Sequence, residues 1–318
     1  MDMIDNNEQK KFTAIIYGCG KMYEKYKPYF ELYKDVLDYK GLIVSECEEY
    51  VFDGFSVKSA NEMDFSEIDY IFVTSNKYFR EICDNLTDLG VPDKKIVPCN
   101  VFELPYFDIT KYLFLKQQDV TILSNYCLGG LIYKELGLRA LSPTINMICD
   151  GIDFIKFCNN YKMYLSNDME ALDDGISCSQ KYKWNDRHRF VPKGKVLDIV
   201  WNLVHEADAN EGIQKWNRRR IRVNFDNVVV VMIIQNEEEL NLFNKLNFKR
   251  KIGVFYKKTV FDSVISLTEW SDAYERQKHD YKWHVYANNN MVNIKGKKGK
   301  VDWIKFLIGE KDYYINMC

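Results

Sequence analysis

The sequence holds nine cysteines, at positions 19, 47, 83, 99, 127, 149, 158, 178 and 318, yet no two of them form a Cys-x-x-Cys pair. An odd, scattered set argues for reduced thiols and against a disulfide frame or a zinc site, so no metal is expected. Long apolar runs are missing too. None approaches the roughly 18 residues that a membrane-spanning helix needs, and the polar stretch Met1 to Lys11 has no signal-peptide core. The expectation is a cytoplasmic protein with no transmembrane segment. Charge of one sign is also lacking: 44 Lys and Arg face 46 Asp and Glu, for a net charge of -2. Such a balance gives no global pull toward nucleic acid or anionic membrane, so no nucleic-acid partner is expected and any cationic function must be local. No Gly/Ser-rich linker and no internal repeat divides the chain.

A length of 318 residues exceeds what a single core usually supports, and 47% hydrophobic with 28% charged residues is ordinary globular composition. Two domains follow. The 22 tyrosines are numerous, and core or half-buried packing is their simplest use. Phe12 to Tyr17 reads as a strand stopping at Gly18-Cys19-Gly20, followed by an amphipathic helix over Lys21 to Lys34 interrupted at Pro28. Apolar runs at Gly41–Val44, Phe55–Val57, Tyr70–Thr74 and Ile96–Val97, with a helix over Lys77–Leu89, continue the alternation. Strands and helices at this spacing predict right-handed crossovers and a parallel sheet. The fold class is thus α/β: a Rossmann-like domain over 1–105, a connecting helix over 106–118, and a second α/β domain over 119–318 with a mainly parallel sheet.

In the second domain Val120–Leu123, Val196–Val204, Val228–Ile234 and Ile252–Tyr256 read as strands. Leu131–Leu136, Asp153–Asn159, Ala207–Arg220 and Glu237–Leu246 read as helices. Residues 166–194 read as a long loop or excursion, Asn288–Lys300 as a loop, and Val301–Ile308 as a closing amphipathic piece.

The glycine turn suggests a phosphate site, because two glycines allow a tight turn and a close approach to a helix N-terminus. Gly18, Gly20 and the acid Glu46 after the second strand are the cofactor-binding candidates. Tyr23 stands where a dinucleotide fingerprint has its third glycine, which weakens the case for NAD. The second domain carries more. Each apolar run ends in polar residues, and in an open parallel sheet those ends share one edge. Cys127, beside a helix start, and His205 then form a candidate catalytic pair for covalent acyl transfer, with the thiol pKa lowered by its position. Asn125 and the amides near Gly129 and Gly130 are candidate oxyanion donors. Ser124, Asn125 and Ser142 are candidate ligand contacts. Lys215-Trp216-Asn217-Arg218-Arg219-Arg220-Ile221-Arg222 reads as a helix end. There Trp216 can stack on Arg220, and Arg218, Arg219 and Arg222 can clamp pyrophosphate or an anionic sugar.

Two resemblances attach to these residues. Ile15-Ile16-Tyr17-Gly18-Cys19-Gly20, Asp69-Tyr70-Ile71-Phe72-Val73-Thr74-Ser75 and Leu89-Gly90-Val91-Pro92 resemble the N-terminal domain of bacterial sugar acyltransferases, which implies a nucleotide-sugar pocket at the glycine turn. Ser124-Asn125-x-Cys127-x-Gly129-Gly130, Ser142-Pro143-Thr144, Asp153–Phe157 and His205 through Arg222 resemble the domain-of-unknown-function family 1919, over a core of 119–260. That likeness implies exopolysaccharide biosynthesis, with Leu128 where the family pattern has an aromatic. The leading expectation is a transferase acting on a nucleotide sugar or other activated sugar, with acyl-CoA as another possible donor. A non-catalytic nucleotide-sugar sensor or assembly factor, and an NAD-dependent oxidoreductase, are the alternatives.

Overall fold

The computed structural model describes residues 11–172, 191–270, 282–293 and 299–315. The chain is a mixed α/β protein of two compact units, one formed by residues up to Gln117 with Leu136–Arg139, the other by Gln118–Glu135 and Ala140 onward.

The first unit is built on a six-stranded sheet. Its strands are β1 (Phe12–Tyr17), β2 (Leu37–Val44), β3 (Tyr50–Phe52), β4 (Phe55–Ser59), β5 (Tyr70–Val73) and β6 (Ile96–Pro98), in the order β3-β4-β2-β1-β5-β6. All pairings are parallel except the β3–β4 hairpin. Central β1 and β5 are apolar on both faces, as a sheet covered on two sides requires. Helix α1 (Lys21–Leu32) runs straight through Pro28, where an interruption was expected. Pro28 and Glu24, whose carbonyl loses its bond to the proline, are both exposed, so the orphan oxygen is open to solvent while Tyr23, Tyr26 and Phe30 hold the buried face. Helix α2 spans Phe79–Asp88, and α3 (Ile109–Lys116), the expected connecting helix, belongs to this unit.

The second unit has a four-stranded parallel sheet in the order β13-β12-β11-β7, made of β7 (Thr121–Ser124), β11 (Val228–Ile233), β12 (Lys251–Phe255) and β13 (Val264–Ser266). Helices α4 (Leu128–Glu135), α5 (Gly151–Asn159), α6 (Tyr161–Leu165), α7 (Ala209–Arg220), α8 (Glu237–Asn244), α9 (Lys282–Met291) and α10 (Trp303–Ile308) complete it. The expected strand Val196–Val204 is not part of this sheet. It divides at Leu197-Asp198 into β9 (Lys193–Val196) and β10 (Ile199–Asn202), an antiparallel hairpin that pairs with β8 (Glu170–Leu172). Asp198 fastens the tip, accepting from Tyr164 Oη at 2.9 Å and pairing with Lys156. Helix α9 covers Asn288–Met291, where a loop was expected, because Trp283, Ala287 and Met291 form a buried stripe at helical spacing. Most of the expected excursion at 166–194 lies outside the described residues.

Candidate active site

Beyond β7 the chain makes a tight corner before α4, built by the side chains of Ser124, Asn125, Ser142 and Thr144. Ser124 Oγ donates to the Tyr126 carbonyl (2.6 Å) and accepts the Gly129 N–H (3.3 Å), while Ser124 N–H donates to Thr144 Oγ1 (3.1 Å). Asn125 is fully buried and engages the backbone of β11 at both ends of its amide, donating to Ile233 O and accepting from Ile233 N at 2.9 Å each. Ser142 Oγ is bonded to Thr144 Oγ1 at 3.0 Å. The reading of Asn125 as an oxyanion donor, and of Ser124 and Ser142 as ligand contacts, therefore gives way to a role in shaping the corner. The polar atoms of these side chains make their bonds inside the fold, Asn125 to β11, Ser124 and Ser142 to the corner itself.

Helix α4 starts three residues earlier than expected, so Cys127 immediately precedes it and Gly129 and Gly130 lie in its first turn. Both glycines serve close packing. An added Cβ would stand 2.8 Å from Ser124 Oγ at Gly129 and 2.7 Å from Asn146 Oδ1 at Gly130. Leu128, in the place of an aromatic, is fully buried.

The corner is then stitched to β10. Cys149 N–H donates to Asn125 O at 3.0 Å, and Ile148 and Asn202 exchange backbone bonds of 2.9 and 2.8 Å. Three residues past Asn202 comes His205, whose Nε2 lies 3.3 Å from Cys127 Sγ. The structure thus brings the two predicted catalytic residues together, but through this bridge and not through a shared edge of one parallel sheet. Nor is there a reversal of strand order in the described sheet, where β7 is a terminal strand. Burial pushes the half-buried Cys127 thiol up to about 11, opposite to the lowering expected from the helix start. The resting pair is a neutral thiol against an imidazole.

Tyr126, adjacent to the cysteine, accepts from Gln235 Nε2 at 3.0 Å and stacks on His284 with ring centroids 5.1 Å apart. Sequence reasoning missed Tyr126, Gln235 and His284. Only the polar end of β11 pointed to Gln235, and a lone histidine on a helix gives no signal of its own. On the other side, Glu206 is 2% exposed and salt-bridged to Lys215, which also reaches Glu211 Oε1 at 2.7 Å. Burial opposes the Lys215 charge, but the two carboxylates outweigh it and hold the ammonium above its usual range. The Ala207 N–H and then Lys215 hold the Glu211 carboxyl down to about 2.

Helix α7 approaches closely at Gly212, where an added Cβ would lie 3.0 Å from Leu203 Cγ. Trp216 is fully buried against Trp201 and Phe157, its indole donating to Asn167 O at 3.2 Å. It belongs to the core and not to a stack on Arg220, which pairs instead with Asp168. Arg219 donates to Ile145 O at 3.2 Å and Arg218 is exposed. Arg222 follows one turn later, its N–H donating to Arg219 O at 3.0 Å.

In the first unit Gly18 is required by the backbone. It sits at φ +104, and an added Cβ would lie 2.5 Å from Thr74 Oγ1. Gly20 is exposed, with open space where a Cβ would stand. Tyr23, in the third-glycine position, is buried against Phe52 and donates to Asp53 Oδ2 at 2.6 Å. A cavity of about 300 Å³ opens among Tyr17, Ser45, Glu46, Asn61, Asn85 and Asp88. Glu46 thus lines a cavity, but one with two carboxylates and no cation on its wall, which opposes a phosphate there.

The fold and site together define a two-unit α/β protein whose second unit sets a thiol and an imidazole in contact at the carboxyl end of a parallel strand. The chain belongs to the domain of unknown function (DUF1919) family, whose model matches residues 99–307. Residues 10–97 match a second family, C2185-like, N-terminal. A relative described as an uncharacterized protein of Haemophilus influenzae is 26% identical over 193 residues, which is 54% of this chain and 87% of that one. Among solved structures, aspartate semialdehyde dehydrogenase II of Vibrio cholerae, complexed with ASA, aligns over 81% of this chain and 83% of its own at 12% identity. Its TM-score is 0.25, too low to bear on fold or function.

Proposed function

We propose that the protein is a thiol-dependent transferase that moves an acyl group from an activated donor to a sugar hydroxyl in the synthesis of cell-surface polysaccharide. The observation that carries the chemistry is the 3.3 Å contact between Cys127 Sγ and His205 Nε2. The polysaccharide setting rests on the resemblance of the Ser124–Gly130 and His205–Arg222 stretches to proteins of that kind. In the first half-reaction Nε2 takes the thiol proton as Sγ bonds to the donor carbonyl carbon. The tetrahedral adduct collapses when the imidazolium protonates the leaving thiolate or alkoxide, leaving a Cys127 thioester. In the second, Nε2 takes the proton of an acceptor hydroxyl, which attacks the thioester and restores the thiol. First-turn N–H groups of a helix have no intrahelical acceptor. Ser124 Oγ occupies that of Gly129, so the Leu128 and Gly130 amides are the oxyanion donors.

Mass spectrometry of the full chain after p-nitrophenyl acetate or acetyl-CoA should find one acyl group on Cys127. Cys127→Ala should carry none, and His205→Asn should form the adduct roughly 10²–10⁴-fold more slowly. Unaltered labelling of Cys127→Ala would eliminate the covalent mechanism. A second reading, a non-catalytic nucleotide-sugar sensor or assembly factor, is favoured by the neutral thiol at rest. It calls for ligand binding with neither adduct nor product.

A further inference from the structure

Helix α7 carries a cationic stripe that the chemistry above does not use. Arg218 and Arg219 lie three and four residues after Lys215, and Arg222 four and three residues after them, which places the four along one side of the helix and its continuation. Trp216 and Gly212 take the side facing the core. The stripe begins beside the pair: Glu206, the neighbour of His205, is salt-bridged to Lys215. Its middle also lies near the pair. Arg219 is held by Ile145 O, and the Ile145 side chain packs on Gly130, 2.9 Å from where a Cβ would stand. Gly130 lies about 4.5 Å along α4 from Cys127 by helical rise.

Arg218 and Arg219 have no salt bridge of their own among the described residues. Glu206 and Glu211 are both engaged by Lys215. Arg219, half-buried, has a neutral carbonyl as its hydrogen-bond partner; burial opposes its charge, Glu206, already shared with Lys215, attracts it, and Arg218 and Arg222 lie close enough to repel it. Arg218 makes no ion pair with any described residue. By contrast Arg220, on the other side of the helix, is neutralised by Asp168. Gathering like charges around a half-buried guanidinium costs stability unless an anion joins them. The planar forks of Arg218 and Arg219 suit paired phosphate oxygens.

We propose that Arg218 and Arg219, with the charge of Arg222 behind them, form the anchor for a pyrophosphate-bearing substrate whose reactive end reaches the Cys127 site. This rests on the transferase reading of the same site and names its substrate class. Two carriers share the chemistry, the adenosine diphosphate part of a CoA acyl donor and a nucleoside-diphosphate sugar whose hydroxyl is the acceptor.

The test is calorimetric titration of the full chain with inorganic pyrophosphate, CoA and UDP-glucose, at low salt. Pyrophosphate should bind the wild type and Cys127→Ala alike. It should bind Arg218→Gln/Arg219→Gln at least tenfold more weakly, and Arg219→Lys should recover part of the loss. Arg220→Gln should bind as the wild type does. Whichever of CoA and UDP-glucose binds more tightly identifies the carrier. A thermal melt of each variant excludes misfolding as the cause. Equal pyrophosphate binding by wild type and the double variant, or none by the wild type, overturns the anchor. Acylation of Cys127 by p-nitrophenyl acetate needs no anion, so the anchor and the transferase reading fail separately.

Discussion

At the scale of single residues, the protonation state of Cys127 decides how the site works. Its thiol is pushed up to about 11 from an ordinary value of 9.0 by burial, so the folded protein favours the neutral form. The sign follows from linkage: an unfolded chain loses this proton first, and the stability the buried thiol contributes is present below pH 9 and lost as pH rises toward 11. Reactivity runs the other way. Alkylation of Cys127 by iodoacetamide in the free protein should be slow at pH 7 and climb continuously toward pH 11, since only the thiolate attacks. A plateau already reached by pH 7 would mean a preformed thiolate–imidazolium pair and would refute the neutral resting state. In the proposed transferase reaction His205 accepts the proton as the sulfur attacks.

At the scale of elements, most strands and helices were legible because their apolar periodicity is unambiguous. Phe12–Tyr17, Tyr70–Val73 and Val228–Ile233 are short runs buried on both faces, and each ends at a polar turn. The β9–β10 hairpin was not legible. Its turn is Leu197-Asp198, with none of the Gly or Asn that marks a two-residue hairpin, and Leu197 stands at φ +54 where such residues are favoured. A continuous run from Val196 to Val204 therefore reads as one strand. The Cys127–His205 pairing was legible as chemistry but not as geometry, because the bridge from Ile148 to Asn202 joins segments far apart in sequence and leaves no local pattern. Asn125, Ser124 and Trp216 were misread for a related reason: a polar or aromatic residue near a site looks the same in sequence whether it faces a ligand or the core. The hairpin offers a direct test. Leu197 is exposed, so Leu197→Gly removes a left-handed backbone cost of about 1–2 kcal/mol, offset in part by the greater freedom of glycine in the unfolded chain. The variant should be more stable by about 0.5–1 kcal/mol in urea unfolding, with Cys127 reactivity unchanged. A loss of stability would show that the Leu197 side chain contributes more than its backbone costs.

At the scale of the whole molecule, the formal charge and the local field point in opposite directions. The chain carries -2 overall, yet one side of α7 presents Arg218 and Arg219, neither of them salt-bridged to a carboxylate among the described residues. Charges separated by more than the Debye length, about 8–10 Å near physiological salt, are largely screened from each other. A small anion approaching α7 therefore responds to the stripe and not to the net charge. This yields a sharp expectation for association rates measured by stopped flow with pyrophosphate. The rate for the wild type should fall as salt rises from low ionic strength through the physiological range. In Arg218→Gln/Arg219→Gln that salt dependence should flatten. In Glu67→Gln/Glu81→Gln, two exposed acids of the first unit whose loss brings the net charge to zero, it should stay as in the wild type. If instead the neutralised variant accelerates binding as much as the arginine pair slows it, the global charge governs the encounter and the stripe on α7 has no special part in capturing the ligand.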